Sequence, residues 1–140
     1  MPVPIKKPNE IARMRDAGYL VGIIHARIQE AIAPGGRLSR ESFLWLFPGI
    51  AIVGPIVEEI LFRGVVYPYV RARMRVFLAV LFTAAVFSVV HVIPILLLPL
   101  FVAGVALTLV TERYNSIIPA IVLHGAFNGL QVILLYSVAG

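Results

Sequence analysis

Glu58, Glu59 and Arg63 lie inside Gly54-Pro55-Ile56-Val57-Glu58-Glu59-Ile60-Leu61-Phe62-Arg63-Gly64, a stretch otherwise apolar enough to sit in a bilayer. Ionisable groups at membrane depth are costly and by default mark function. Glu59 and Arg63 are four apart, so on a helix they share a face and can pair. One arginine neutralises one carboxylate, which leaves Glu58 without a partner nearby in sequence. Two later stretches offer partners: Phe87-Ser88-Val89-Val90-His91 and His124-Gly125-Ala126-Phe127-Asn128. A carboxylate held against a water can act as a general base. An Asn amide or a His N–H can donate to a developing oxyanion.

Composition says what must position these groups. The chain has 140 residues, 60% of them hydrophobic and 14% charged, and a mean hydropathy of +0.95. Soluble domains are about half apolar and about a quarter charged, so this chain falls in the membrane class. No charged residue occurs from Val76 to Thr111. A bilayer-spanning helix needs about 20 apolar residues, so that run holds two spans and Tyr114–Gly140 holds another.

The net charge is +5, and seven of the twelve basic residues precede Ser42. Arg63, Arg71, Arg73 and Arg75 lie between the first two hydrophobic blocks, and Arg113 is the twelfth. In so apolar a chain this excess suits lipid headgroups and positive-inside topology, not nucleic acid, for which no aromatic-and-basic motif is present. With no cysteine, disulfides and thiolate metal sites are excluded. The start of the chain lacks the apolar core of a cleavable signal peptide.

Residues 1–42 differ from the rest. Asn9 is a suitable N-cap after Pro8, and Ile11, Met14, Val21, Ile28 and Ile32 recur at helical spacing, with Gly18 and His25 on the same stripe. Pro34-Gly35-Gly36 ends this amphipathic helix. His25 reads as a helix-face histidine. The segment from Ile5 to Gly18, continuing to Ala33-Pro34-Gly35, resembles the opening helix of methionine aminopeptidases, without their metal-binding body. Residues 1–42 are therefore read as an amphipathic N-terminal segment, a possible fusion, and 43–140 as the membrane core.

The core reads as an all-α bundle of about four membrane helices. Phe43–Gly54 is apolar but too short to span alone. Gly54-Pro55 reads as a helix start, since proline suits the first turn, and this would set Glu58 and Glu59 near the positive end of a helix dipole. That helix is expected to run to about Val70, followed by spans from Val76 to about Val92, Ile95 to Val110 and Ile117 to Val138. At 1.5 Å per residue, Glu58 about 15 residues before Arg73 and His91 about 18 after it lie within roughly one turn in height. Climbing from Asn115, Asn128 comes near the same layer, with His124 one turn away. The competing readings are structural: an ion pair at Glu59–Arg63, packing roles for the histidines and Phe87, and a small-xxx-small contact at Gly125 and Gly129.

Glu58-Glu59-x-x-x-Arg63, Phe87-x-x-x-His91 and His124-x-x-x-Asn128, in this order on successive hydrophobic helices, resemble the three motifs of the CPBP family. These intramembrane proteases include the CAAX prenyl endopeptidases and bacteriocin-immunity proteins. The resemblance covers about residues 48–138. It implies a multi-pass protein of the cell membrane that hydrolyses membrane-anchored or prenylated peptides. It also implies roles: Glu58 activates water with His91, His124 and Asn128 stabilise the oxyanion, and Glu59, Arg63 and Phe87 support them. Glu58, His91 and His124 equally form a zinc ligand set with an open position for water. A divalent metal thus stands beside glutamate-driven hydrolysis as the second chemistry. The reading from a different class is a non-catalytic membrane immunity or scaffold protein that keeps these residues for binding.

Overall fold

The computed structural model describes residues 39–92 and 94–139. The amphipathic N-terminal helix, with His25, lies outside the described residues. Four helical rods make up the rest. α1 runs Arg40–Arg71, α2 Val76–Val90, α3 Leu97–Tyr114 and α4 Ile118–Ala139. α1, α3 with the turn before it, and α4 are each long and apolar enough to cross a membrane, while α2 is a shorter apolar helix. This is the all-α membrane bundle expected from composition.

The bundle is polar within and apolar without. Glu59, Arg63, Thr83, Thr108, Thr111 and His124 are buried, whereas Trp45, Phe77, Phe82, Val122 and Phe127 are exposed. Such outer faces are stable against hydrocarbon, where every backbone polar group must be satisfied inside a helix. α2 and α3 pack along their lengths, and α4 crosses the first half of α1. Tyr67, Val70, Ala79 and Val80 form an apolar cluster where α1 turns into α2. Arg71, Arg73 and Arg75 lie at that end. Glu112 ties α1 to α3 there, accepting from Tyr67 Oη at 2.7 Å and Arg71 Nε at 3.4 Å.

α1 departs from the expected helix start at Gly54-Pro55. Ser39 caps it, accepting from the Ser42 N–H at 3.1 Å, and the helix then continues unbroken past Pro48, Pro55 and Pro68. It does so by widening twice into π turns, Gly49–Val53 and Phe62–Val66. Pro55 and Pro68 each lie one residue beyond these turns, after Gly54 and Tyr67. A proline lacks an N–H and presses on the carbonyl four residues back, here Ala51 and Gly64. A wide turn relieves that clash without ending the helix. Glu58 and Glu59 consequently sit mid-helix, far from the helix dipole expected to favour them.

The first wide turn also frees a hydrogen-bond acceptor. The Gly54 N–H bonds to the Gly49 carbonyl, and the next amide nitrogen belongs to Pro55, so the helix supplies no donor to the Ile50 carbonyl. Asn128 Nδ2 of α4 donates to it at 3.3 Å. Beside it, a Cβ on Gly125 would lie 2.5 Å from the Ala51 carbonyl oxygen. Glycine is what lets α4 approach this closely.

α2 ends at Val90. His91 follows, and Val92 adopts a left-handed φ of 57°, a strained conformation for a β-branched residue. The chain turns there and enters α3 through the short 3₁₀ turn Pro94–Leu96. α3 closes on Asn115 at φ 49°, a left-handed cap that asparagine tolerates.

Candidate active site

The two glutamates of α1 point to different environments. Glu59 is fully buried. Its Oε1 accepts from Arg63 Nη1 at 2.7 Å and lies 2.8 Å from His124 Nδ1 of α4. The expected pair between Glu59 and Arg63 is thus present, with a histidine added to it. Arg63 is 1% exposed, and α3 takes its remaining face. Nη2 donates to the Gly104 carbonyl at 3.0 Å and Nε to Thr108 Oγ1 at 3.3 Å. Thr108 Oγ1 in turn donates to the same Gly104 carbonyl at 2.7 Å. The guanidinium carbon lies 4.6 Å from the centre of the Phe87 ring, a favourable cation–π placement.

Glu58, rotated off that face, is partly exposed and looks toward two imidazoles. Its Oε2 lies 3.7 Å from His91 Nε2 and 3.8 Å from His124 Nε2. Those separations lie just beyond direct hydrogen bonds, and Glu58 Oε2 is itself buried between the two rings. Among the described residues Glu58 Oε2 has no hydrogen-bond partner.

The tautomers follow from the other ring nitrogens. His91 Nδ1 is 2.7 Å from the Phe87 carbonyl. A carbonyl only accepts, so His91 Nδ1 carries the hydrogen. His124 Nδ1 faces a carboxylate already held by arginine and likewise donates. In their neutral forms both histidines therefore present a bare Nε2 toward Glu58 Oε2. Three acceptors converge with no donor between them. Phe87 floors the site, its ring centre 4.7 Å from that of His91 and 5.8 Å from that of His124.

Glu58, His91 and His124 therefore come together from α1, α2 and α4. The layer differs from the expected one, in which Asn128 was level with Glu58 and His124 one turn away. His124 is the level residue, and Asn128 sits one turn beyond it at Ile50. The wide turn at Phe62–Val66 advances α1 less per residue than a regular helix, which lowers Glu58 toward His124. Gly104 and Thr108 went unread in the sequence. Neither is charged, and Thr on a membrane helix bonding back four residues is unremarkable by type. The signal available was their spacing of four, which matches that of Glu59 and Arg63.

As a zinc set, these donors stand slightly wide. Ligands 2.0–2.1 Å from one ion at tetrahedral angles would leave them roughly 3.4 Å apart. Among the described residues, no three His, Cys, Asp or Glu side chains stand close enough together to hold an ion as placed.

A sequence model described as Type II CAAX prenyl endopeptidase Rce1-like matches residues 40–130. The chain belongs to this family. The match spans from the first residue of α1 into α4, and so takes in every site residue named above. Family and architecture agree on a multi-pass integral membrane protein of the CAAX protease kind. No curated protein and no solved structure matches the chain. The likeness of residues 1–38 to methionine aminopeptidases finds no support in the comparisons, and those residues lie outside the described ones.

Proposed function

We propose that the chain is an intramembrane endopeptidase that removes the last three residues of prenylated, membrane-associated CaaX substrates, using water activated at Glu58. The observation that carries this reading is the placement of Glu58 Oε2 3.7 and 3.8 Å from two imidazole Nε2 atoms. On this reading a small parting of the rings admits a water, which donates one hydrogen to Glu58 and the other to an imidazole. Glu58 takes a proton as the water oxygen bonds to the scissile carbonyl carbon. The tetrahedral oxygen then needs donors. Asn128 keeps one amide N–H on Ile50 and has a second to offer. His124, when protonated on both nitrogens, keeps Nδ1–H on Glu59 and offers Nε2–H. Collapse of the intermediate breaks the C–N bond, and the proton held by Glu58 or His91 passes to the leaving amine. The products are a new carboxylate on the prenylcysteine and a free tripeptide. If Glu58, His91 and His124 closed slightly they could hold a zinc ion, which would supply a metal-bound water as the nucleophile instead.

Detergent-purified protein tests this with a farnesylated CaaX peptide and an unprenylated peptide pool, read by mass spectrometry. The expected result is loss of three residues from the prenylated peptide only. In Glu58→Gln cleavage should vanish while the helical circular dichroism signal is kept. A chelator arm decides the metal. Cleavage that survives Glu58→Gln would overturn the mechanism. A folded wild-type protein that cuts nothing would overturn the activity and return the immunity or scaffold reading.

A further inference from the structure

We propose that the Gly104–Thr108 turn of α3 is a positioning device for the active site. It seats Arg63, which holds Glu59, which in turn fixes the ring of His124. The proposal rests on the peptidase reading for its catalytic consequence, although not for its structural one.

α3 brings neither carboxylate nor imidazole to the Glu58 pocket, yet it contacts two of the three nitrogens of the Arg63 guanidinium. The contacts close a small ring: Arg63 Nη2 and Thr108 Oγ1 both donate to the Gly104 carbonyl, and Thr108 Oγ1 accepts from Arg63 Nε. Helix geometry explains why both residues are needed. The Gly104 carbonyl is the acceptor that Thr108, four residues on, can reach from its own side chain. Two donors on one carbonyl and a hydroxyl that both gives and accepts leave the guanidinium a single orientation. Glycine at 104 also keeps α3 tight against α2. A Cβ there would lie 3.0 Å from Ala84 Cα and 3.1 Å from Ala84 Cβ, so a side chain would press the two helices slightly apart at the carbonyl that Arg63 uses.

The orientation is transmitted through one oxygen. Glu59 Oε1 is shared between Arg63 Nη1 and His124 Nδ1. Arg63 fixes that oxygen, and the oxygen fixes which nitrogen of His124 bears hydrogen. That choice determines what His124 Nε2 presents to Glu58. Thr108 is therefore a positioning residue acting at second hand, and its hydroxyl, not its bulk, is the active part. Outer partners that orient metal-ligating histidines change activity by roughly 10–100-fold when removed, and a loss on that scale is expected for a partner that orients His124.

α2 supplies an internal control. Thr83 is as fully buried as Thr108, but its hydroxyl has no hydrogen-bond partner among the described residues. Thr→Val at the two sites is the same isosteric change at the same burial, and only Thr108 belongs to the network.

The test uses full-length protein labelled with ¹⁵N-histidine in detergent, its three imidazoles assigned with His25→Gln and His91→Gln. In wild type and in Thr83→Val, His124 should show a protonated Nδ1 and a bare Nε2. Thr108→Val and Thr108→Ala should mix or reverse these signals, and Thr108→Ser should restore them. On the farnesylated peptide, Thr108→Val should lower kcat about tenfold or more and leave KM within about twofold. His124 signals unmoved in both Thr108→Val and Thr108→Ala would overturn the proposal, as would an equal change in Thr83→Val. If the wild type cuts no peptide, the proposed activity fails separately, and the imidazole signals still decide the clamp.

Discussion

Glu58 and Glu59 are the same residue type side by side, and about 100° of helix rotation separates their fates. Glu59 is enclosed, with one oxygen shared between the Arg63 guanidinium and the His124 ring, while Glu58 is partly open and faces two imidazoles without touching either. Their substitutions should therefore differ in kind. Arg63→Ala leaves a buried carboxylate with half its compensation and is expected to cost about 3–5 kcal/mol of stability. Glu58→Gln should change stability by less than about 1 kcal/mol. Thermal unfolding in detergent checks both, and equal losses would refute the division of labour. The Glu59–Arg63 pair was legible from a spacing of four in an apolar setting. The third member, His124, was not, because which histidine meets Glu59 depends on how far α4 climbs. Gly104 and Thr108 were hidden for a plainer reason: uncharged residues on a membrane helix look alike whether or not they hold an arginine.

At the level of elements, α1 is the part that sequence pattern misdescribes. Pro55 after Gly54 has the chemistry of a helix start, and local preference alone makes it one. Packing of α4 against the preceding turns keeps the helix continuous, and the proline is absorbed as a wide turn. The consequence is an unpaired carbonyl at Ile50 that docks Asn128. Pro55→Ala returns an N–H to that position and should let α1 revert to a regular pitch. The expected outcome is unchanged or higher thermal stability with peptide cleavage strongly reduced, since Asn128 loses its seat. Lower stability with full activity would contradict it. Gly125 holds the same joint from the other side. Gly125→Ala places a methyl 2.5 Å from the Ala51 oxygen, so α4 must move, and a loss of about 1–3 kcal/mol is expected from such overpacking. Gly64→Ala, where a Cβ meets only the Glu59 carbonyl oxygen at 3.9 Å, is the matched control and should be tolerated. The bounds of α2 and α4 fell close to expectation, because long charge-free runs leave little choice, but α3 runs past the expected end at Val110 to Tyr114, since Glu112 on its last turn is held by Tyr67 and Arg71 of α1.

Across the whole molecule, the lengths of the rods differ in a way that matters to the surrounding lipid. α2 has 15 residues, about 22 Å of helix at 1.5 Å per residue. A hydrocarbon core is about 30 Å thick. With the arginines beside Arg75 anchored among headgroups at one leaflet, α2 stops several ångströms short of the other, and His91 is its last landmark. Lipid accommodates a short span by thinning locally. The opposite leaflet should therefore dip over His91 and Glu58, giving water a shallow well above the proposed catalytic pair and, on that reading, bringing a substrate's scissile bond down to it. Reconstitution in phospholipids of graded acyl-chain length tests this: cleavage should quicken as chains shorten and slow as they lengthen, and a rate indifferent to thickness would refute it. On this view the bilayer is a working part of the active site, and the shortness of one helix is what recruits it.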